Sequence, residues 1–370
     1  MNNQNLNIEK NQINKILQIY SQNKIKDALF QANYSKLKYP NLSRIPIFHN
    51  LLGLINLRLK DYENSKLNFE DATKLNPNFA EAYYNIGLVY FELGQLEQSY
   101  NNLLKAFSLK KNYLRARNKI IELLTFYKPK NINDNGITKV NEEIKQINYR
   151  IDFSKKILDE SINEYIKKCE QITKENSMDL TYNKNQLFRR KSIFLNCERH
   201  KSIFFRNNII PRFCFGCFKV VINCKNVTDL IKVALIFDQE KFFWNFNRKS
   251  MIDKRYDEIK YNSYIYCTNI DEVLDAEIRT KNILSKIVDK NIIVESKRGC
   301  AEFSITYPNY KKIYKNISHL MNYPNEWDLF EKKYDEQNTN KTIQKNNVVN
   351  DSAPGGSLNN FLIMNNWLNN

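Results

Sequence analysis

The sequence predicts an α-helical repeat solenoid followed by a separate α+β domain. Three observations carry this. Part of the N-terminal third matches itself after a shift of 34 residues. Gly and Pro number only 8 each in 370 residues, which suits helices better than a many-turned sandwich. From Phe218 onward, β-rich runs alternate with helix-like stretches. The length allows two or three domains, each with its own core. Hydrophobic content of 42% and aromatic content of 13% argue for a folded chain rather than a disordered one.

Under the shift, Gly53 falls on Gly87, Leu52 on Ile86, Ser65 on Ser99, Phe69 on Leu103 and Ala72 on Ala106. This period with these residue types resembles the tetratricopeptide repeat (TPR). The resemblance implies two antiparallel helices per unit. Gly87 lets them approach, and Tyr83, Ile86 and Tyr90 fill the space between them. Ser99, Leu103 and Ala106 come from the second helix, and Gly94 sits in the linking turn. The preceding unit runs from Pro46 to Phe79 and closes in Asn76-Pro77-Asn78. An earlier one is anchored by Ala28, Ala32 and Pro40. A half unit from Leu114 to Tyr127 reads as a cap covering the last apolar face. The array then spans 9–127, about three and a half repeats.

Stacked helix pairs curve, and their first helices line a groove. The family's groove positions fall on Asn50, Leu54 and Leu57 in one unit and on Tyr84, Leu88 and Phe91 in the next. Relatives that clamp a C-terminal carboxylate use Lys and Asn at such positions, and Leu54 and Leu88 depart from that pattern. The expected partner is therefore another protein, offering an apolar helix or extended segment. Pro46 to Tyr113 carries seven basic and seven acidic residues, so the chain's surplus charge lies elsewhere.

Residues 128–175 read as a linker, Lys128 to Gly136, and then one long amphipathic helix or two in series. Its apolar positions are Ile144, Ile147, Ile151, Leu158, Ile162, Tyr165, Cys169 and Ile172. Residues 176–323 form a basic, cysteine-bearing α+β domain. Phe218 to Cys224 is a strand, and Asn226 caps a helix to Phe237. Lys249 to Arg255 and Tyr261 to Cys267 are strands. Asn269 with Glu272 opens a helix to Val288, Asn291 to Lys297 is a strand, and Glu302 to Tyr307 pairs with it. This order suggests a ferredoxin-like βαββαβ arrangement. Residues 324–370 read as a polar tail, with a short docking helix from Leu358 to Leu368.

The sharpest chemical constellation is Cys197-x-x-His200 followed by Cys214-x-x-Cys217. Two close-spaced ligand pairs suit a tetrahedral structural zinc with three thiolates and one imidazole. The alternatives are an iron–sulfur cluster on Cys214, Cys217 and Cys300, or a redox dithiol at Cys214 and Cys217. Cys300, beside Lys297 and Arg298, has the surroundings of a reactive thiolate, with no partner histidine identifiable. From Thr181 to Leu235 eleven basic residues face two acidic ones, and positive potential stabilises thiolates.

A second constellation pairs Tyr264 and Tyr266 on one strand face with the basic Arg189 and Arg190, as single-stranded nucleic-acid binding would require. The formal charge of +17 suits an acidic partner, but it also follows from a Lys- and Asn-rich composition. The sequence holds no phosphate-cradling glycine loop, nucleophile elbow, paired-histidine protease motif or dinucleotide fingerprint. No run of 18 apolar residues is present, and MNNQNLNIEK has no secretory core. Seven cysteines then read as cytoplasmic thiols or metal ligands. The whole reads as a cytoplasmic, basic scaffold or adaptor. An enzyme whose repeats recruit substrate to a thiol or metal site is the rival.

Overall fold

The computed structural model describes residues 3–125, 127–130, 135–147, 149–189, 197–254, 258–313, 321–337 and 356–369. These fall into two compact units, one ending at Leu123 and one starting at Leu124.

The first unit is a run of helix pairs: α1 (Asn3–Ser21), α2 (Ile25–Lys38), α3 (Pro46–Arg58), α4 (Tyr62–Leu75), α5 (Ala80–Glu92), α6 (Leu96–Leu109) and α7 (Leu114–Leu123). The repeat is visible atom by atom. Ser65 Oγ donates to the Gly53 carbonyl at 2.9 Å, and 34 residues later Ser99 Oγ donates to the Gly87 carbonyl at 2.7 Å. A Cβ at Gly53 would overlap the Phe69 ring, and one at Gly87 would overlap Leu103. Both glycines are there because the second helix of the pair lies against their backbone. The turn between the helices takes a left-handed residue in both units, Lys60 at φ 62° and Gly94 at φ 72°. Ile13, Ile16, Ala28, Ala32, Leu42 and Phe48 continue the core into the first pair.

The second unit opens with α8 (Gly136–Gln146), capped by Asn135, and α9 (Asp159–Glu175). The predicted helical stretch is thus two helices in series. Leu158, in the intervening loop, is 59% exposed. Next come β1 (Gln186–Arg189), α10 (Cys197–Asn207), α11 (Arg212–Phe215), β2 (Phe218–Cys224), α12 (Val227–Gln239), β3 (Asn247–Asp253) and β4 (Lys260–Cys267). They are followed by α13 (Ile270–Ile287), β5 (Ile293–Arg298), α14 (Phe303–Thr306), α15 (Trp327–Gln337) and α16 (Leu358–Leu368).

The strands form one antiparallel sheet in the order β1-β3-β4-β2-β5. Set β1 aside, and the remaining four strands with α12 and α13 have the ferredoxin-like order the sequence predicts. Asn226 and Asn269 cap the two crossover helices through the Asp229 and Glu272 amides. Glu272 reaches back to the Thr268 amide at 2.6 Å, one residue short of a reciprocal capping box.

One expectation needs correction. Glu302 to Tyr307 is not a strand: it holds the helical turn α14. Phe303 is fully buried while Ile305 is 84% exposed, so the residues do not alternate as a strand would. The turn brings Phe303 and Tyr310 into one core. Within the predicted tail, the described helices α15 and α16 are packed. Glu331 of α15 accepts from the Arg212 amide at 2.6 Å and pairs with Arg199 at 3.0 Å. Helix α16 is buried on all sides, from Leu358 to Asn365 and at Trp367.

That burial explains α12, whose residues from Asp229 to Asp238 are all buried. One face lies on the sheet, and α9 and α16 cover the rest. Polar groups in this layer are matched. Arg189 of β1 grips Asp238 of α12 through two hydrogen bonds of 2.9 and 2.8 Å, and Asn360 of α16 bonds both partners. Lys232 pairs with Asp159 and Asp229. Trp367 Nε1 donates to the Asn185 carbonyl at 2.8 Å.

Candidate functional site

In the first unit, Asn50, Leu54 and Leu57 share one face of α3, and Tyr84, Leu88 and Phe91 share one face of α5. All six are partly buried. Leu54 and Leu57 lean on the buried Phe69, Ile86 and Val89. The Asn85 amide donates to Asn50 Oδ1 at 2.9 Å, which ties α3 directly to α5. At α7, the Lys119 ammonium stands 3.4 Å over the Phe91 ring, and the Tyr113 ring lies 5.3 Å from Tyr84. Burial raises the Tyr84 pKa, so its hydroxyl stays neutral. The two rows therefore make one continuous surface of half-buried leucine, tyrosine and phenylalanine. Asn50, with its oxygen engaged by Asn85, buttresses this surface.

In the second unit, the predicted zinc ligands fall on α10, on α11 and just before β2. Cys197 and His200 lie on α10, not on a knuckle-like turn. The His200 ring stacks on Phe213 at 5.0 Å. Burial and the neighbouring Arg199 lower its pKa to about 4. The charged groups it feels are Arg199, Glu331 and Asp335, with no thiol among them. The thiols instead have one another. Cys214 and Cys217 flank the end of α11, with the Cys217 amide donating to the Cys214 carbonyl at 3.2 Å. The Gly299 amide donates to the Cys217 carbonyl at 2.9 Å, and a Cβ at Gly299 would overlap the Cys217 sulfur. Cys300 follows directly and packs on the core that holds Cys214, Phe204, Phe303 and Tyr310. As placed, no three His, Cys, Asp or Glu side chains among the described residues stand in metal-holding geometry.

Burial pushes Cys217 up to about 11 and Cys300 up to about 12, and raises Cys214 further. A lone Cys300 is therefore a protonated thiol at neutral pH and a poor nucleophile.

Tyr264 and Tyr266 lie on β4 with rings 6.4 Å apart, and Lys219 stands 5.6 Å over Tyr264. Arg189, expected beside them, is 5% exposed and committed to Asp238, so it cannot reach a phosphate. Arg190 lies outside the described residues.

Sequence reasoning missed β1, α10 and the cations near the thiols. Arg298 is 5% exposed, and the half-buried Lys219 donates to the Gly299 carbonyl at 3.0 Å. Polar Lys219 and Asn223, four residues apart in a β-rich run, are the sequence sign that Lys219 lies on the face opposite Phe218 and Val220.

Residues 53–94 match the family described as TPR repeat, and residues 80–113 match the one described as tetratricopeptide repeat. The N-terminal region is TPR-like, and the repeats support a protein-interaction scaffold role. No curated protein matches the chain. Among solved structures, the first TPR domain of Spaghetti bound to an Hsp90 peptide is 20% identical, with a TM-score of 0.29. That match covers 31% of this chain and 89% of that one. An O-GlcNAc transferase from Thermobaculum terrenum is 17% identical, with a TM-score of 0.33, covering 42% and 31%. MamA is 18% identical, with a TM-score of 0.29, covering 46% and 80%. Among the described residues, no helix is long and apolar enough to cross a membrane.

Proposed function

We propose that this chain is an adaptor whose repeats hold an apolar helix or extended segment of another protein along α3, α5 and α7. One observation carries the reading. Leu54, Leu57, Tyr84, Leu88 and Phe91 are partly buried on touching helices, so they form a shaped apolar strip. Apolar strips of this kind are usually interaction sites. The repeat matches over residues 53–113 support the same reading.

The site takes apolar side chains rather than a carboxylate. The cation over Phe91, Lys119, is paired with Glu122 at 3.4 Å. Binding energy then comes from buried leucine and aromatic surface, about 25 cal/mol for each Å² removed from water. Affinity depends little on salt, because no long row of charges is neutralised.

A displayed peptide library selected on the full-length chain tests this. Enriched sequences should carry leucine, isoleucine or aromatic residues at helical or alternate spacing, and a Leu88→Asp chain should not retain them. Enrichment of acidic C-terminal peptides, or equal retention by Leu88→Asp, would overturn the reading.

A further inference from the structure

We infer that Cys197, Cys214, Cys217 and Cys300 are the ligands of a four-thiolate zinc site at the end of the sheet, Cys300 standing where the sequence suggests His200. The four come from three segments that meet where β2 begins and β5 ends. Phe218 pairs with Arg298 in the β2–β5 ladder, so the residues just outside it, Cys217 and Gly299, are neighbours. Their contact is tight enough to require glycine at position 299. Cys300 is the next residue, and Cys214 lies one turn before Cys217 in the same core. Helix α10 delivers Cys197 from the other side. Lys201, one turn along α10, pairs with Glu302, two residues beyond Cys300, at 2.8 Å. Cys197, Cys217 and Cys300 all act electrostatically on Cys214.

Charge supplies the second, independent observation. Arg298 is 5% exposed, yet its hydrogen bonds go to the Tyr310 and Phe215 carbonyls. Lys219 likewise bonds the Gly299 carbonyl. Arg298 has no ion-pair carboxylate among the described residues, whereas the half-buried Lys219 feels Glu302. A buried cation without a counter-charge costs several kcal/mol. Zinc resolves this: four thiols lose four protons to one Zn²⁺, and the complex carries two negative charges beside two cations. Forming the tetrahedron needs rotation of thiol side chains, and Cys197 is exposed. A single ion suits the place better than an iron–sulfur cluster. The Cys217 sulfur already abuts the Gly299 backbone, and the fully buried Phe303 and Tyr310 occupy the adjoining space. The site ties together three chain segments and so acts as a staple, with no open coordination position.

The test is metal analysis with zinc-edge X-ray absorption on the full-length wild-type chain, purified without chelators. The expected result is about one zinc per chain with four sulfurs at about 2.3 Å. Three sulfurs and one nitrogen at about 2.0–2.1 Å would return His200 to the site and overturn the assignment. Absence of metal, or iron in its place, would also overturn it. In variants, Cys300→Ser should lose the zinc and His200→Gln should keep it; the reverse pattern refutes. Should Cys300→Ser fail to fold, the wild-type spectrum alone decides between sulfur-only and mixed ligation.

Discussion

Asp238→Ala tests how the second unit is held together. The carboxylate takes both hydrogen bonds of the Arg189 fork, and their side chains are 7% and 5% exposed. Removing it takes two charge-assisted bonds from a buried guanidinium that keeps its bond to Asn360 Oδ1, at 2.7 Å. Breaking a buried pair from one side costs about 3–5 kcal/mol. For a unit of this size each kcal/mol lowers the melting temperature by about 2–4 °C, so the fall is roughly 6–20 °C. The assay is scanning calorimetry, followed by hydrogen exchange of α16. The transition of the second unit should move down, and the α16 amides should exchange faster. Because isosteric apolar replacement of a whole buried pair is often neutral, Arg189→Met with Asp238→Leu should recover most of the loss. A loss below about 1 kcal/mol for Asp238→Ala would place the pair in solvent and refute the buried bond between β1, α12 and α16.

Three smaller predictions concern single residues. His200 has a folded pKa of about 4 against an ordinary value of 6.5, mainly because it is buried. As pH falls from 6.5 to 4, the unfolded chain gains a proton that the folded one refuses, so stability, whole above pH 6.5, declines across that window by up to about 3 kcal/mol. His200→Gln should flatten this slope in urea titrations at several pH values; an unchanged slope contradicts it. Lys60 sits at φ 62°, where its counterpart in the next repeat is Gly94. Relief of about 1–2 kcal/mol of left-handed strain exceeds the chain entropy of glycine, so Lys60→Gly should stabilise by about 0.5 kcal/mol. A destabilised variant would contradict this. Ser65→Ala and Ser99→Ala each remove a buried bond to a glycine carbonyl and should each cost about 1–2 kcal/mol in chemical denaturation. Clearly unequal losses would mean that the two repeats are not equivalent.

The repeats were legible because period, small residues and closing proline all act through local sequence. Ser65 and Ser99 make the same bond from the same place. Strands β2 to β5 were legible for a similar reason: β-branched runs and Asn caps are local signals. What stayed hidden depends on distant partners. β1 has four residues and exists because β3 offers an edge. α16 carries Asn359, Asn360, Asn365 and Asn366, which look solvated until Tyr182, Asp238 and Arg189 are placed around them. At the thiols, spacing grouped His200 with Cys197. The fold turns His200 onto Phe213 and brings in Cys300 from 83 residues beyond Cys217, a juxtaposition made only by the β2–β5 ladder.

Isothermal titration of a selected apolar segment into the wild-type chain and into Leu88→Asp is the most direct measurement of partner binding by the repeats. Circular dichroism of the variant would first confirm unchanged helicity. Loss of a central apolar contact is worth about 2 kcal/mol or more, roughly a 30-fold weakening. The predicted result is that weakening, with wild-type affinity nearly the same at low and physiological salt. Equal affinities for the two chains, or wild-type binding that collapses as salt rises, would contradict an apolar groove on α3 and α5.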